Sequence, residues 1–359
     1  MIIANIAGRF LPVGLMILIA GCTTSYGPRT IPGARFDYNE AISRSWDDQL
    51  LLNLVRLRYR DNPLFVDVSS ITASYSVERS GAIGGSVGSD EGPQGSAGVG
   101  LKLVENPVIS YNYLSGEEFA ERLLSPITPQ VFEALAQSGW SIERLLLCCL
   151  NGVNGIENAI AAAGPTPDYV PDYERFQKLA AAFRRLQLAR HVMIEVGPDE
   201  QTYLYLRPDA GADGDEVRSL LGLDEGVEQV HVKAGILPLT GNAISVQGRS
   251  LLAVMYFLSQ GVDVPNEDET AGRVTVTRDA DGNEFDWSRV LGPLIHVQTG
   301  ESKPAAGVAA VQVEYRGHWF WIDDSDLNSK TTFSLLRLLL FLKSGDPRVM
   351  SPAVTIPVR

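Results

Sequence analysis

Four histidines, two internal cysteines and two aspartate-rich runs are the residues whose chemistry could do more than hold a fold. The histidines are His191, His231, His296 and His318, and none stands at metal-ligand spacing or within a nucleophile motif. His318 precedes Trp319-Phe320-Trp321 in a strand-like run and reads as structural. Ser250 and Ser329 lack the Gly-x-Ser-x-Gly surroundings of a nucleophile elbow. Asp324-Ser325-Asp326-Leu327-Asn328 opens like a calcium loop, with oxygen donors at alternate positions. Ser329 then stands where that loop needs glycine and Leu335 where it needs a bidentate glutamate, so the run is expected to cap a helix. Asp279-Ala280-Asp281-Gly282-Asn283 reads as a hairpin turn. The glycines between 81 and 100 alternate within strand-like sequence instead of joining a strand to a helix, which is not the pattern of a phosphate-cradling loop. Cys148 and Cys149 lie in the apolar run 142–150 and are expected to behave as small buried hydrophobes. The sequence therefore predicts no catalytic residues, no metal and no cofactor. One arrangement would promote an envelope hydrolase instead, namely carboxylates clustered with His296 or His318 in a cleft.

Cys22 has a chemical destination of its own. Residues 1–21 carry one positive charge, Arg9, then the apolar run Phe10 to Ala20, and end in Gly21. An apolar stretch of about ten residues is too short for the roughly 20 of a membrane helix and suits a secretory signal. Ile19-Ala20-Gly21-Cys22 resembles the lipobox of bacterial lipoproteins. The resemblance covers the signal and cysteine alone. It implies cleavage between Gly21 and Cys22, a diacylglycerol on the thiol and acylation of the new N-terminus, which together make a stable membrane-lipid anchor. Thr23 and Thr24 stand where an aspartate would be the familiar inner-membrane signal, so the resemblance implies the outer membrane, with the chain facing mainly the periplasm. The formal net charge of −13, made more acidic by loss of Arg9, argues against nucleic-acid partners.

Between Asp67 and Leu114 the pattern becomes a long alternation rich in Gly and Ser. One set of alternate positions reads Ile71, Ala73, Tyr75, Val77, Arg79, Gly81, Ile83, Gly85, Val87, and the other is small and largely polar. After a turn-forming tip at 89–94, Ala97, Val99, Leu101 and Leu103 continue the apolar set. Period two marks strands between unlike surroundings, as in membrane barrels and some soluble hairpins. A turn centred near 92 would set Ile83 opposite Leu101, Gly81 opposite Leu103, Arg79 opposite Glu105, Tyr75 opposite Ile109 and Ile71 opposite Tyr113. Tyr75, Tyr111 and Tyr113 would then form an aromatic girdle at one end. Two strands cannot close a barrel, so insertion in lipid demands a ring of subunits. The alternative is a soluble hairpin packed on its own domain or on a neighbour.

The elements that carry these features follow from spacing. Residues 22–36 are expected as a flexible tether. A helical domain at 37–164 would bear the hairpin 68–113, with an amphipathic helix from Tyr38 to Tyr59 capped by Asp37. Ser115-Gly116-Glu117-Glu118 matches a capping box, and Thr128-Pro129 opens another helix. The proline-rich stretch 164–171 is taken as a boundary before an α+β domain at 165–346, followed by a C-terminal tail at 347–359. That domain is expected to hold a helix from Asp172 to Arg190, a hairpin at 192–206, a helix over 247–260, strands at 273–278 and 294–298, a hairpin at 309–323 and a last helix from Thr331 to Leu342. The fold class is thus α+β with a mostly antiparallel sheet. The functional expectation is a non-enzymatic envelope subunit, a homo-oligomer or a partner of other envelope proteins. A monomeric periplasmic scaffold is its structural rival, and an envelope hydrolase acting on polysaccharide the enzymatic one.

Overall fold

The computed structural model describes residues 26–86, 94–113 and 116–344. The lipobox with Gly21 and Cys22, Val87 and the tail after 344 therefore lie outside the described residues. The chain forms two compact units, one up to Trp46 and one from Asp47 onward. Helix α1 spans Tyr26–Arg58, so it begins well before the expected start. Most of the tether is helical in consequence, and Asp37 lies inside the helix instead of capping it. Pro28 falls in the first turn, where its missing N–H has no intrahelical acceptor to lose, whereas Pro32 and Gly33 sit against helix propensity. Leu50, Leu51, Leu54, Val55 and Leu57 repeat at helical spacing and are all buried, each removal from water contributing about 1.5–3 kcal/mol.

Strands β1 (Val66–Ser86) and β2 (Gln94–Tyr113) follow, then helices α2 (Glu117–Leu124), α3 (Pro129–Gln137) and α4 (Ile142–Cys149). The N-cap of α2 is Gly116 at φ 100°, one residue later than the expected cap Ser115, which lies outside the described residues. Thr128 and Pro129 do open α3 as predicted, and Ser141 caps α4 by accepting from the Arg144 amide. The short strands β3 (Leu150–Val153) and β4 (Ile156–Glu157) come directly after α4. Beyond them lie α5 (Glu174–Leu188), β5 (Val192–Val196), β6 (Thr202–Leu206), α6 (Gly211–Leu221), β7 (Gln229–Ala234) and β8 (Ala243–Gly248). One six-stranded sheet runs in the order β4-β3-β8-β7-β6-β5, antiparallel except for β7–β8. Pairing of β3 with β8 crosses the stretch 164–171, so that stretch is an internal connection of the unit and not a boundary. Its hydroxyl-to-carbonyl bond from Thr277 Oγ1 to Pro167 O, 2.6 Å, ties it to the same core.

The remainder comprises α7 (Leu251–Ser259), the short helices α8 (Asn266–Thr270) and α9 (Ser288–Leu291), strands β9 (Gln298–Gly300), β10 (Ala309–Tyr315) and β11 (His318–Asp323), and α10 (Leu327–Ser344). The expected helix over 247–260 starts later, because Ser250 caps α7 and Gln247 belongs to β8. No strand forms at 273–278, where Arg278 makes only an isolated bridge with Glu284. The region 294–298 supplies only the bridge Val262–Val297 and the start of β9. The hairpin β10–β11 turns through Arg316 and Gly317, both at positive φ, as the sequence predicts. Asp326 accepts from the Ser329 amide at the start of α10, so the calcium-like run works as a cap, as expected. Cys148 and Cys149 are buried and unbridged. Helices alongside three sheets, antiparallel throughout except for β7–β8, make the fold α+β.

Candidate functional site

The feature that departs from an ordinary domain is the β1–β2 ladder, and two amides of α1 fix its root. Asn53, 1% exposed, donates from Nδ2 to Leu64 O at 2.8 Å and accepts from Leu64 N at 2.8 Å. One turn earlier on α1, Gln49 does the same for Val66, at 3.2 and 3.1 Å. Each side chain imitates a strand neighbour, so the backbone entering β1 is held by α1 before any ladder forms. Phe65 meets Phe119 of α2 edge-to-face at 5.4 Å, which adds an apolar contact at the root.

Ser86 pairs with Gln94, Ile83 with Ala97, Gly81 with Val99, Arg79 with Leu101, Val77 with Leu103, Tyr75 with Glu105 and Ile71 with Ile109. The register is therefore centred near position 90 instead of 92, which moves each of these partners by four residues. Arg79 and Glu105 are not opposite, and the directly opposed charges are Glu78 and Lys102. An even shift keeps the same alternate positions paired, which is why period two could not choose between the two registers. Between Val68 and Ser70 the register slips by one, so that Val68 pairs with Tyr111 and Val66 with Tyr113. The slip brings Val66 and Val68 into the same alternation as Ile71 and Tyr75. Spanning 21 and 20 residues, the strands are roughly 65–70 Å long, against about 30 Å for the hydrocarbon of a bilayer. They form a sheet of two, with no further strand on either edge among the described residues.

The structure disperses the histidines. His231 Nε2 lies 3.0 Å from Gln201 Oε1, His318 lies 3.5 Å from Glu267, and His296 Nε2 lies 2.8 Å from Asp263 Oδ2. The last pair sits in a polar cleft of about 640 Å³ that also gathers Glu269, Glu284, Asp286 and Asp326. Carboxylates thus do cluster with His296 in a cleft. Ser329 does not pair with the imidazole, because its Oγ accepts from the His296 amide and donates to Asp326 Oδ2 at 2.5 Å, leaving the His296 ring bonded to Asp263. No group of three or more His, Cys, Asp or Glu able to hold a metal occurs among the described residues. A separate cavity of about 60 Å³, lined by Phe132, Leu146, Phe183 and Leu204, is apolar and small.

The bond to Asp263 raises the His296 pKa above 6.5, while partial burial opposes it. A raised folded-state value means that this pair stabilises the fold fully below about pH 6.5 and loses that contribution as pH climbs through the folded value. Replacing Asp263→Asn is expected to move the His296 midpoint down towards its ordinary value, read from imidazole proton shifts in a pH titration. An unchanged midpoint would show that Asp263 does not carry the shift.

No helix among the described residues is long and apolar enough to cross a membrane. Comparison of the chain with protein-family models, with curated proteins and with solved structures finds no match.

Proposed function

We propose that this protein is a non-enzymatic, lipid-anchored subunit of a cell-envelope assembly, held in the outer membrane through acylated Cys22 and facing the periplasm. Its β1–β2 hairpin joins the hairpins of neighbouring copies. The observation that supports this reading is the bare two-stranded ladder of about 20 residues per strand. A lone two-stranded ribbon is marginal in water, and its two open edges are templates for further strands. In lipid a lone hairpin is worse off, since each unpaired backbone group there costs several kcal/mol. Only closure with other strands removes the edges. Alternation of apolar with small polar positions suits the wall of such a closed ring, and half the length of the ladder is enough to span a bilayer.

Light scattering of the detergent-extracted full chain tests the proposal. The expected protein mass is that of several chains, with cysteines introduced at Ile83→Cys and Leu101→Cys reacting with lipid-soluble probes in vesicles. A monomer at all concentrations would overturn the assembly and leave a tethered periplasmic scaffold. The carboxylates around His296 favour a second reading, an envelope hydrolase acting on polysaccharide, which release of reducing ends from envelope glycan by the extracted protein would establish.

A further inference from the structure

The cleft that holds His296 contains two polar groups that the protein itself leaves unsatisfied. Arg58, at the end of α1, is 8% exposed and lines the cleft. Its Nη1 donates to Thr275 O at 2.8 Å, its Nε has no acceptor, and no carboxylate lies within ion-pair distance of it among the described residues. Gln260, at the end of α7, is also 8% exposed and lines the same cleft, with Nε2 turned to Tyr256 O and Oε1 without a donor. A buried donor or acceptor left unpaired is destabilising, and more so when charged, so two in one cleft call for a ligand that completes them.

The charges around them define its chemistry. Five carboxylates, those of Asp263, Glu269, Glu284, Asp286 and Asp326, face one arginine and one histidine already tied to Asp263. Burial raises the pKa of Glu269 first, its neighbour Glu284 adds to the rise, and Arg58 opposes it, as expected of crowded negative charge seeking a cation. The surplus repels anions and leaves neutral ligands without a counterpart. A saccharide would also want an aromatic platform, but Trp287 is 9% exposed and its Nε1 donates to Thr277 Oγ1.

We propose that this cleft is a binding site for a small basic amino acid, with the ligand carboxylate on the Arg58 guanidinium, an ammonium N–H on Gln260 Oε1 and the second cationic group against the glutamates. A guanidinium and a carboxylate match as a planar fork, which explains why arginine and not lysine suits the buried end. The volume lies within the range of small-molecule pockets.

Isothermal titration calorimetry of the full chain in detergent, with L-lysine, L-arginine, cadaverine and a chitin oligosaccharide as separate titrants, tests this. Saturable binding of L-lysine or L-arginine is expected, with cadaverine weaker by about tenfold or more for want of a carboxylate. Arg58→Met should erase the preference for the amino acid over cadaverine, and the exposed Glu284→Gln should weaken both amines. If Arg58→Met does not fold, the comparison of L-lysine with cadaverine and the Glu284→Gln variant still decide the matter. No saturable heat with either amino acid, binding of the oligosaccharide alone, or equal affinity for L-lysine and cadaverine would each overturn the proposal. These readouts are independent of oligomer mass, so the site stands or falls apart from the hairpin assembly.

Discussion

Deleting residues 80–104 is expected to turn the assembled protein into single chains. The deletion leaves Ser76 to Arg79 to close a turn across the Tyr75–Glu105 pair, so the root of the ladder keeps its register. Each outer edge of the full hairpin carries about ten outward N–H and ten outward C=O groups, and every backbone bond made to a neighbour contributes about 0.5–1.5 kcal/mol. A seam of such bonds amounts to roughly 10 kcal/mol or more before ordering costs, enough to hold subunits together, and truncation removes more than half of it. The rest of the protein should hardly notice. β1 and β2 pack on each other and not extensively on any other element, and the core around Leu51, Leu145 and Phe257 lies outside them. Light scattering should therefore report a mass near one chain, while the thermal midpoint of the core stays within a degree or two of the parent. A deleted form that keeps its full mass would place the subunit contact elsewhere, and a core that unfolds would show that the hairpin is structural to its own chain.

Where local pattern and local structure coincide, the sequence was legible. The β5–β6 hairpin follows from two alternating runs around Gly197-Pro198-Asp199-Glu200, and α5 follows from Phe176, Leu179, Phe183 and Leu186 at helical spacing, all buried. Strands β3 and β4 were hidden, because Leu150 ends a continuous apolar run that reads as helix and only the partner strand β8 makes it extended. That same long-range pairing is what carries the fold across 164–171, where proline content alone suggests a boundary. Gln49 and Asn53 were missed as positioning residues, since a polar residue on a helix leaves no periodic trace of the strand it clamps. The register error has the same origin, an even slip that alternation cannot see. The cleft was legible only as a condition. Its residues come from positions as far apart as Arg58, Gln260, Glu284, His296 and Asp326, and no spacing along the chain announces their meeting.

The largest single loss of stability is expected at Arg249, where a charge is buried without a carboxylate. Arg249 is fully buried, with Nη1 donating to Leu147 O at 2.8 Å and Cys148 O at 3.2 Å, Nη2 to Asn158 O, and Nε to Asn151 Oδ1 at 3.0 Å. Its Cζ lies 3.8 Å from the centre of the Phe257 ring. Leu147 and Cys148 supply two of the last carbonyls of α4, which a helix cannot satisfy itself and which carry its partial negative charge. The cation therefore caps α4 at the point where the chain turns without a loop into β3, and Asn158 assists from Nδ2 to Leu147 O and Leu150 O at 2.9 and 2.8 Å. Burial pulls the guanidinium pKa down, yet the ring of carbonyls keeps it protonated. Arg249→Met preserves bulk and removes every donor, leaving buried carbonyls bare, so unfolding free energy from denaturant titration should fall by about 3–5 kcal/mol. A loss below about 1 kcal/mol would mean that the carbonyls find water or other donors instead. Arg249→Lys should recover little of the difference, because a single ammonium cannot span carbonyls from the end of α4, Asn151 and Asn158 at once.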